Sequence, residues 1–172
     1  CLNGAVGRLH FGIGETDDFN FMLVLKGPSG CGKSTLMKVI RTMFINPVGI
    51  STTEQKYALM ELAHNPDIVF DPDASENFLT AFCEDKFQKY VGGEDVVAAV
   101  KNKGVFNLHP TAQICLSTNK YFHCRETAGE VSGRIMRLDF KKVPENLAKK
   151  DLHLDIIKNS IGAVIVKTLK AY

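Results

Sequence analysis

Residues 27–34 (GPSGCGKS) have the types and spacing of a phosphate-binding loop, or P-loop, G-x-x-x-x-G-K-[ST]. Glycines at this spacing let backbone N–H groups point into one concavity around a β-phosphate, and the following helix adds its positive end. The Lys33 ammonium would reach the β- and γ-phosphates, and the Ser34 hydroxyl would ligate Mg²⁺. The residues predicted to hold a nucleoside triphosphate are Gly27, Pro28, Ser29, Gly30, Cys31, Gly32, Lys33, Ser34 and Thr35.

Further polar groups follow two apolar runs that are typical of buried strands. Asp71 and Asp73 follow the run that ends at Phe70, and Asn119 follows the run that ends at Ser117. Ligands bind at the carboxyl ends of strands in open α/β sheets, so one carboxylate would hold the Mg²⁺-bound water or orient the attacking water. Asn119 would contact the γ-phosphate or that water. The alternatives are that Asp-Pro-Asp is only a turn and that Asn119 only caps its strand.

The elements that position these groups follow from the hydrophobic pattern. Residues 21–25 (FMLVL) form a continuous apolar run, as in a buried strand, and the apolar period becomes helical from Thr35 until Asn46-Pro47. The glycine-rich residues 1–20 predict turns and irregular pieces. The remaining prediction is a helix over 54–64, a strand over 67–70, a helix over 77–90, a hairpin of 96–100 and 105–108, strands over 111–117 and 135–140, and a closing amphipathic helix carrying Leu154 and Leu169.

Composition places these elements in one soluble-type α/β domain spanning 1–172. The chain has 45% hydrophobic residues and no apolar run of the ~20 residues that span a bilayer, so no membrane partner is expected. It lacks a starting Met, and we expect it to be part of a longer protein. The 5 cysteines are scattered without a C-x-x-C pair, which favours an intracellular, reducing compartment over a disulfide framework or zinc site.

Charge is unevenly distributed along the chain. Residues 51–95 contain 3 basic and 10 acidic side chains, whereas residues 101–142 contain 8 basic and 3 acidic side chains. The basic segment is consistent with a polyanionic partner, and solvated surface charge is the alternative. Within it, Tyr121 and Phe122 either stack on a base or pack inward, and the sequence favours packing.

The chain resembles the superfamily 3 helicases of the AAA+ class, in particular the helicase domain of the primase-helicases of large DNA viruses and related phages. The resemblance runs from about Gly7 to Val143. Besides the P-loop, it rests on the segments 87–95 (FQKYVGGED), 100–103 (VKNK), 117–119 (STN), 132–135 (SGRI) and 138–140 (LDF). It implies a P-loop NTPase fold with a central, mainly parallel sheet flanked by helices, and a β-hairpin before the sensor strand.

The resemblance also implies a role for individual residues. Asp73 matches the Walker B acid that holds Mg²⁺, with Asp71 as second candidate, and Asn119 matches the sensor 1 asparagine. Arg134 matches an arginine finger that enters the ATP site of a neighbouring subunit. Arg137 is the alternative finger, because related chains commonly carry two adjacent arginines where this one has Gly133-Arg134. Lys101 and Lys103 fall in the hairpin that grips DNA, where lysines would contact phosphates without reading sequence.

The function implied is that of an ATP- and Mg²⁺-dependent DNA helicase for viral or phage genome replication. It would translocate on single-stranded DNA as a homo-hexamer, with a primase domain possible in the same polypeptide and either nucleus or cytoplasm as its location. One alternative is a P-loop kinase for a nucleotide or metabolite. Another is a nucleotide-binding, DNA-binding module with little hydrolysis, since Asp-Pro-Asp replaces the adjacent acidic pair ending in Glu.

Overall fold

The structure, a computed structural model, describes residues 2–50, 62, 66–100, 104–123 and 131–172. Of the helix predicted over 54–64, only Leu62 is described, and it is buried; the other residues of that prediction lie outside the described part. Residues 101–103, which include the predicted DNA-binding residues Lys101 and Lys103, also lie outside the described part.

Five α-helices and seven strands are present in the described residues. The helices are α1 (Leu2–Arg8), α2 (Lys33–Arg41), α3 (Phe78–Phe82), α4 (Glu84–Gly92) and α5 (Leu152–Ala171). The strands are β1 (Met22–Lys26), β2 (Pro47–Gly49), β3 (Ile68–Asp71), β4 (Val96–Val100), β5 (Gly104–Leu108), β6 (Gln113–Thr118) and β7 (Ile135–Asp139). Two 3₁₀ turns cover Ser132–Arg134 and Glu145–Leu147.

The centre of the fold is a five-stranded sheet in the order β2-β3-β6-β1-β7, and every neighbouring pair is parallel. Strand β1 lies between β6 and β7 and aligns Lys26 with Thr118 on one side and with Asp139 on the other, so these three strands end at the same edge. Strands β4 and β5 form a separate antiparallel hairpin that precedes β6. The predicted class, an α/β fold with a mainly parallel sheet and a hairpin before the second polar-tipped strand, is confirmed.

Helices cover both faces of the sheet, which explains why β1, β3 and β6 are buried along nearly their whole length and are rich in consecutive apolar residues. Met22 and Val24 face a core cluster that includes residues of α3 and α4. Leu23 and Leu25 face the opposite cluster, which includes residues of α1 and α2. Side chains of successive strand residues point to opposite faces, so the one strand β1 supplies both cores.

The prediction of turns over residues 1–20 is wrong at Leu2–Arg8, which forms α1. Gly7 is in this helix because α5 passes very close to it. A Cβ at position 7 would lie 2.2 Å from the Thr168 backbone oxygen. The glycine therefore permits close helix packing, rather than marking a turn.

The single helix predicted over 77–90 is two helices. Cys83 adopts a positive φ of 71° and separates α3 from α4, a backbone conformation that interrupts an α-helix. The helix after the P-loop ends earlier than predicted, at Arg41, where the Thr42 hydroxyl donates to the Val39 carbonyl. Strand β2 was not predicted; it has three residues, begins at Pro47 and lies at the sheet edge, where a proline is tolerated.

The closing helix forms as α5 and packs on α1 and α2. Its predicted apolar face is not a core face, because Thr168 is its one buried residue. Leu154 and Leu169 are 57% and 40% exposed. Among the described helices, none combines the length and the apolar character that a membrane crossing requires.

Candidate functional site

The P-loop connects β1 to α2, as predicted. Gly30 and Gly32 have φ values of 76° and 91°, in the left-handed region that glycine adopts without a steric cost. Gly27 is needed for space instead, since a Cβ there would lie 2.6 Å from the Phe140 carbonyl oxygen and 2.9 Å from the Cys31 Sγ. The loop therefore turns tightly over the sheet edge and delivers the first residue of α2, Lys33, into the site.

Lys33 is 7% exposed, which is unusual for a charged residue and calls for hydrogen-bond partners. Its Nζ donates to the carbonyl oxygens of Gly27 at 2.6 Å and Pro28 at 3.0 Å, and to the Asn119 Oδ1 at 2.8 Å. The third bond joins the P-loop to the tip of β6. The fold thus brings together two residues that are 86 positions apart in the sequence and that were both predicted to contact the triphosphate.

The P-loop faces a cleft of about 760 Å³. Asp73 and Asn119 line it together with residues 29–36 of the P-loop and the start of α2, so Lys33, Ser34, Asp73 and Asn119 share one cavity. A buried ammonium, a hydroxyl, a carboxylate and an amide are the groups that a triphosphate with a hard divalent cation requires. The residues present therefore fit ATP and Mg²⁺. Within the described residues no cluster of three His, Cys, Asp or Glu side chains could hold a metal by itself.

The two candidate acids differ in position. Asp73 is exposed and lines the cleft, whereas Asp71 is the partly buried last residue of β3 and does not belong to the lining. The Asp73 amide donates to the Asp71 Oδ1 at 3.1 Å. Burial raises the pKa of Asp71, and this effect outweighs the lowering by that hydrogen bond. The chain thus presents the Asp73 carboxylate to the cleft and uses Asp71 to hold the loop.

The two candidate arginine fingers lie outside this cleft. The Arg134 Nη1 donates to the Gln88 carbonyl of α4 at 2.7 Å. Arg137, on β7, pairs with Asp139 at 3.1 Å, and its Cζ lies 5.2 Å from the centre of the Tyr121 ring. Neither arginine is among the described residues that line the P-loop cleft of its own chain.

The sequence did not reveal the far wall of the cleft. Residues of the C-terminal segment line it, and Asn3 of α1 does so as well; the C-terminal lining residues are Val143, Leu147, Ala148, Lys149, Leu152, Ile156 and Val164. No motif marks this segment. The only signal was the apolar face of the closing helix, which the sequence predicted as amphipathic without indicating a cleft.

Tyr121 and Phe122 have different environments. Phe122 packs against the core, with its ring centre 5.7 Å from that of Phe78, as the sequence favoured. Tyr121 does not pack inward: it is 62% exposed and lies against Lys26, whose Nζ is 3.5 Å from the ring centre.

Comparison with known proteins identifies both a family and a shared fold. The model of a family of unknown function, DUF5906, matches residues 25–134, from β1 to the 3₁₀ turn that contains Arg134. No curated protein matches the sequence significantly.

Several solved structures resemble the chain, among them two of different origin. The C-terminal region of NrS-1, in an apo form, superposes with a TM-score of 0.67 at 13% identity, over 97% of this chain and 40% of that one. An inhibitor-bound JCV helicase superposes with a TM-score of 0.57 at 15% identity, over 88% of this chain and 44% of that one. The chain thus shares the fold of part of these proteins and spans less than half of their length.

Proposed function

We infer that this chain, which belongs to the DUF5906 family of unknown function, is the ATP-hydrolysing domain of a DNA helicase. One observation carries the inference: the buried Lys33 ammonium lies 2.8 Å from the Asn119 Oδ1 at the joint edge of β1 and β6. A P-loop lysine and a strand-tip amide in one cleft can address the same terminal phosphate. An ordinary glycine-rich turn would leave its lysine exposed to water, whereas here the lysine is buried against this amide.

Each residue of the cleft has a role that follows from its group. The P-loop backbone and Lys33 would hold the β- and γ-phosphates, while Ser34 and Asp73 would hold Mg²⁺. The bound ion supplies charge neutralisation of the triphosphate. Asn119 would give up its bond to Lys33 when a phosphate oxygen replaces it, and its amide would then orient the attacking water. Asp71 is the second candidate for the metal, although its carboxylate is engaged by the Asp73 amide.

The helicase part of the proposal is supported by the fold shared with JCV helicase and by the hairpin β4–β5 before β6. Its tip would present Lys101 and Lys103 to single-stranded DNA. We propose a homo-hexamer in which Arg134, or Arg137 in its place, completes the ATP site of the next subunit, since neither lines the cleft of its own chain. A primase domain in the same polypeptide and a role in viral or phage genome replication belong to the same proposal.

We propose a reducing intracellular location, at the replication site in the host cell. Cys31, Cys83 and Cys115 are free thiols, and Cys31 lies in the P-loop beside Lys33, with its Sγ 3.5 Å from the Nζ. Oxidation of a buried thiol at this place would obstruct the phosphate loop. Retention of a cysteine there suits a compartment that keeps thiols reduced.

The test is phosphate release from Mg-ATP, with and without single-stranded DNA, by wild type, Lys33→Ala and Arg134→Ala. Lys38→Ala is the matched control, because Lys38 is an exposed lysine of the same helix. We expect DNA-stimulated turnover in wild type and Lys38→Ala, and its loss in the other two variants. Partial recovery on mixing Lys33→Ala with Arg134→Ala would identify a site completed between subunits.

Three results would contradict the proposal. Full activity of Lys33→Ala, with circular dichroism matching wild type, would remove the catalytic assignment of the P-loop. Turnover that ignores both DNA and Arg134, but rises with a nucleotide or metabolite acceptor that becomes phosphorylated, would identify a kinase. Binding of ATP without phosphate release, even by an assembled ring on DNA, would identify a nucleotide-binding module.

A further inference from the structure

A second cleft, of about 490 Å³, lies beside the P-loop on the other face of the sheet. Val24 contributes to its floor, on the side of β1 that packs with α3 and α4. We call it the Tyr121 cleft and define it by four polar or aromatic lining residues, Lys26, Lys120, Tyr121 and Arg137. None of these four has a role in the P-loop site described above, apart from Arg137 as alternative finger.

Tyr121 combines exposure with close cations. The residue is 62% exposed, so most of its surface remains open to a ligand. The Lys26 Nζ lies 3.5 Å from the ring centre and the Arg137 Cζ lies 5.2 Å from it, both within cation–π range. These contacts restrict the rotamers of Tyr121, so less side-chain entropy is lost when a ligand stacks on the ring. An ordered, exposed aromatic ring is suited to stacking on a nucleic-acid base.

The charge of the cleft selects an anion. Three cations line it, and no carboxylate is among its described lining residues. The carboxylates that pair with these cations lie outside the lining: Asp139, 3.1 Å from Arg137 and 4.0 Å from Lys26, and Glu76, 2.9 Å from Lys120. The Arg137 and Asp139 side chains are 46% and 56% exposed and that of Lys120 is 64% exposed, whereas that of Lys26 is 16% exposed. The exposed ion pairs of Arg137 and Lys120 contribute little in water, so a phosphate can replace their carboxylates at small cost.

We propose that the Tyr121 cleft binds single-stranded nucleic acid, with one base stacked on Tyr121 and the adjoining phosphates at Lys26, Lys120 and Arg137. A single strand fits better than a duplex, because only an unpaired base offers its face to a ring. A single strand also fits better than a free nucleotide. Lys120 and Arg137 are exposed, so each phosphate contact is weak, and appreciable affinity requires several contacts along one nucleic-acid strand.

The position of the cleft also favours this ligand. Lys26 directly precedes Gly27 of the P-loop, and Lys120 and Tyr121 directly follow Asn119, which bonds to Lys33. Two adjacent chain segments therefore contribute to both clefts. A strand in the Tyr121 cleft would contact the same backbone segments that hold the triphosphate. The inference rests on the single-stranded partner of the proposed function and adds a contact surface separate from the hairpin.

The test measures fluorescence anisotropy of a labelled oligothymidylate of about ten nucleotides, a length within the range of single-strand sites. The variants are Tyr121→Ala, Tyr121→Phe and Arg137→Gln, with Phe19→Ala as control, because Phe19 is a 58% exposed aromatic residue outside the cleft. We expect Tyr121→Ala to weaken binding about tenfold, the loss of one stacked base, while Tyr121→Phe and Phe19→Ala bind as wild type.

The dependence on salt separates stacking from phosphate contact. Arg137→Gln is expected to make the slope of log affinity against log salt shallower by about 0.7, the value for one phosphate of a single strand, whereas Tyr121→Ala leaves the slope unchanged. A duplex of the same length should bind more weakly than the single strand. Circular dichroism of each variant confirms that it is folded.

Three results would overturn the inference, and they are distinguishable. Wild-type affinity in both Tyr121→Ala and Arg137→Gln, with binding lost in Lys101→Ala/Lys103→Ala, would assign the strand to the hairpin alone and leave the proposed function intact. Displacement of the probe by free ATP from Lys33→Ala protein would identify a mononucleotide site instead. No binding of the oligonucleotide by wild type would remove both this inference and the proposed DNA partner.

Discussion

The hydrogen bond between Lys33 and Asn119 makes a quantitative prediction about the nucleotide-free protein. Asn119→Ala removes one of three oxygen acceptors of a buried ammonium and leaves the Gly27 and Pro28 carbonyls. A hydrogen bond to a charged group contributes about 1.5 to 3 kcal/mol. Asn119 is itself exposed, so water can approach the vacated position and the lower figure applies. We expect a loss of about 1.5 kcal/mol in the free energy of unfolding.

For a chain of this size, that loss corresponds to a fall in Tm of about 3 to 6 °C. Thermal unfolding followed by circular dichroism, without nucleotide, measures it. Asn107→Ala is the control, because Asn107 is an exposed asparagine of the hairpin strand β5. A Tm of Asn119→Ala equal to that of wild type and Asn107→Ala would refute the view that the amide stabilises the buried lysine.

Asn119→Asp separates the effect on the fold from the effect on the nucleotide. A carboxylate keeps an acceptor for the Lys33 ammonium, so the apo protein should not lose stability. The same charge faces the γ-phosphate and competes for Lys33, so we expect affinity for ATP to fall by about tenfold or more. Equilibrium binding of a fluorescent ATP analogue measures this. Wild-type affinity in Asn119→Asp would show that position 119 does not face the phosphates.

Three further predictions concern Asp71 beside the site and glycines of the helices α1, α4 and α5. Burial raises the pKa of the Asp71 carboxyl above its ordinary value of 3.8, so the carboxyl stays protonated to higher pH in the native state than in the unfolded state. The free energy of unfolding therefore falls as the pH rises from the unfolded-state pKa through the native-state pKa. Asp71→Asn should therefore raise the Tm of the metal-free protein at neutral pH and have no such effect below the ordinary carboxyl pKa. Gly7→Ala places a methyl group 2.2 Å from the Thr168 backbone oxygen and should lower the free energy of unfolding by about 1 to 3 kcal/mol, as measured with denaturant. The control Gly162→Ala lies in open space on α5 and should raise that free energy by up to about 1 kcal/mol. Equal effects of the two substitutions would contradict the close packing of α1 on α5. Gly92→Ala places a methyl group 2.6 Å from the Arg134 Nη1 and should lower the free energy of unfolding by about 1 kcal/mol. In a double-mutant cycle, the same substitution in an Arg134→Ala background should have no such effect.

The parts of the fold that were predictable from the sequence are those with local causes. A continuous apolar run, a glycine loop and a helical period mark β1, the P-loop and α2 within about twenty residues. The misread parts depend on distant neighbours. Gly7 resembles a turn residue until α5 is packed against it, and the φ of 71° at Cys83 has no signature in a run that is otherwise helical.

The site divides in the same way. Strands that end in polar residues were expected to meet at one edge, and the parallel order β3-β6-β1 does bring Asp73, Asn119 and Lys33 to one cleft. The order itself could not be derived, because each parallel pair joins strands with a long crossover between them. The Tyr121 cleft was missed for this reason: Arg137 comes beside Lys26 only because β7 is paired to β1.

Arg134 illustrates how the structure limits a role suggested by position in the sequence. Its guanidinium donates to the carbonyl of Gln88 at the middle of α4, and Gly92, the last residue of α4, leaves room for it. An arginine held in this way can act on a neighbouring chain by one of two routes. If assembly breaks the Gln88 bond, Gly92→Ala releases the arginine in advance, and recovery of ATPase activity on mixing with Lys33→Ala should be at least that of a wild-type Arg134 donor. If α4 instead carries the arginine to the neighbour as one unit, the same substitution misplaces the guanidinium, and recovery should fall in parallel with the stability of the fold.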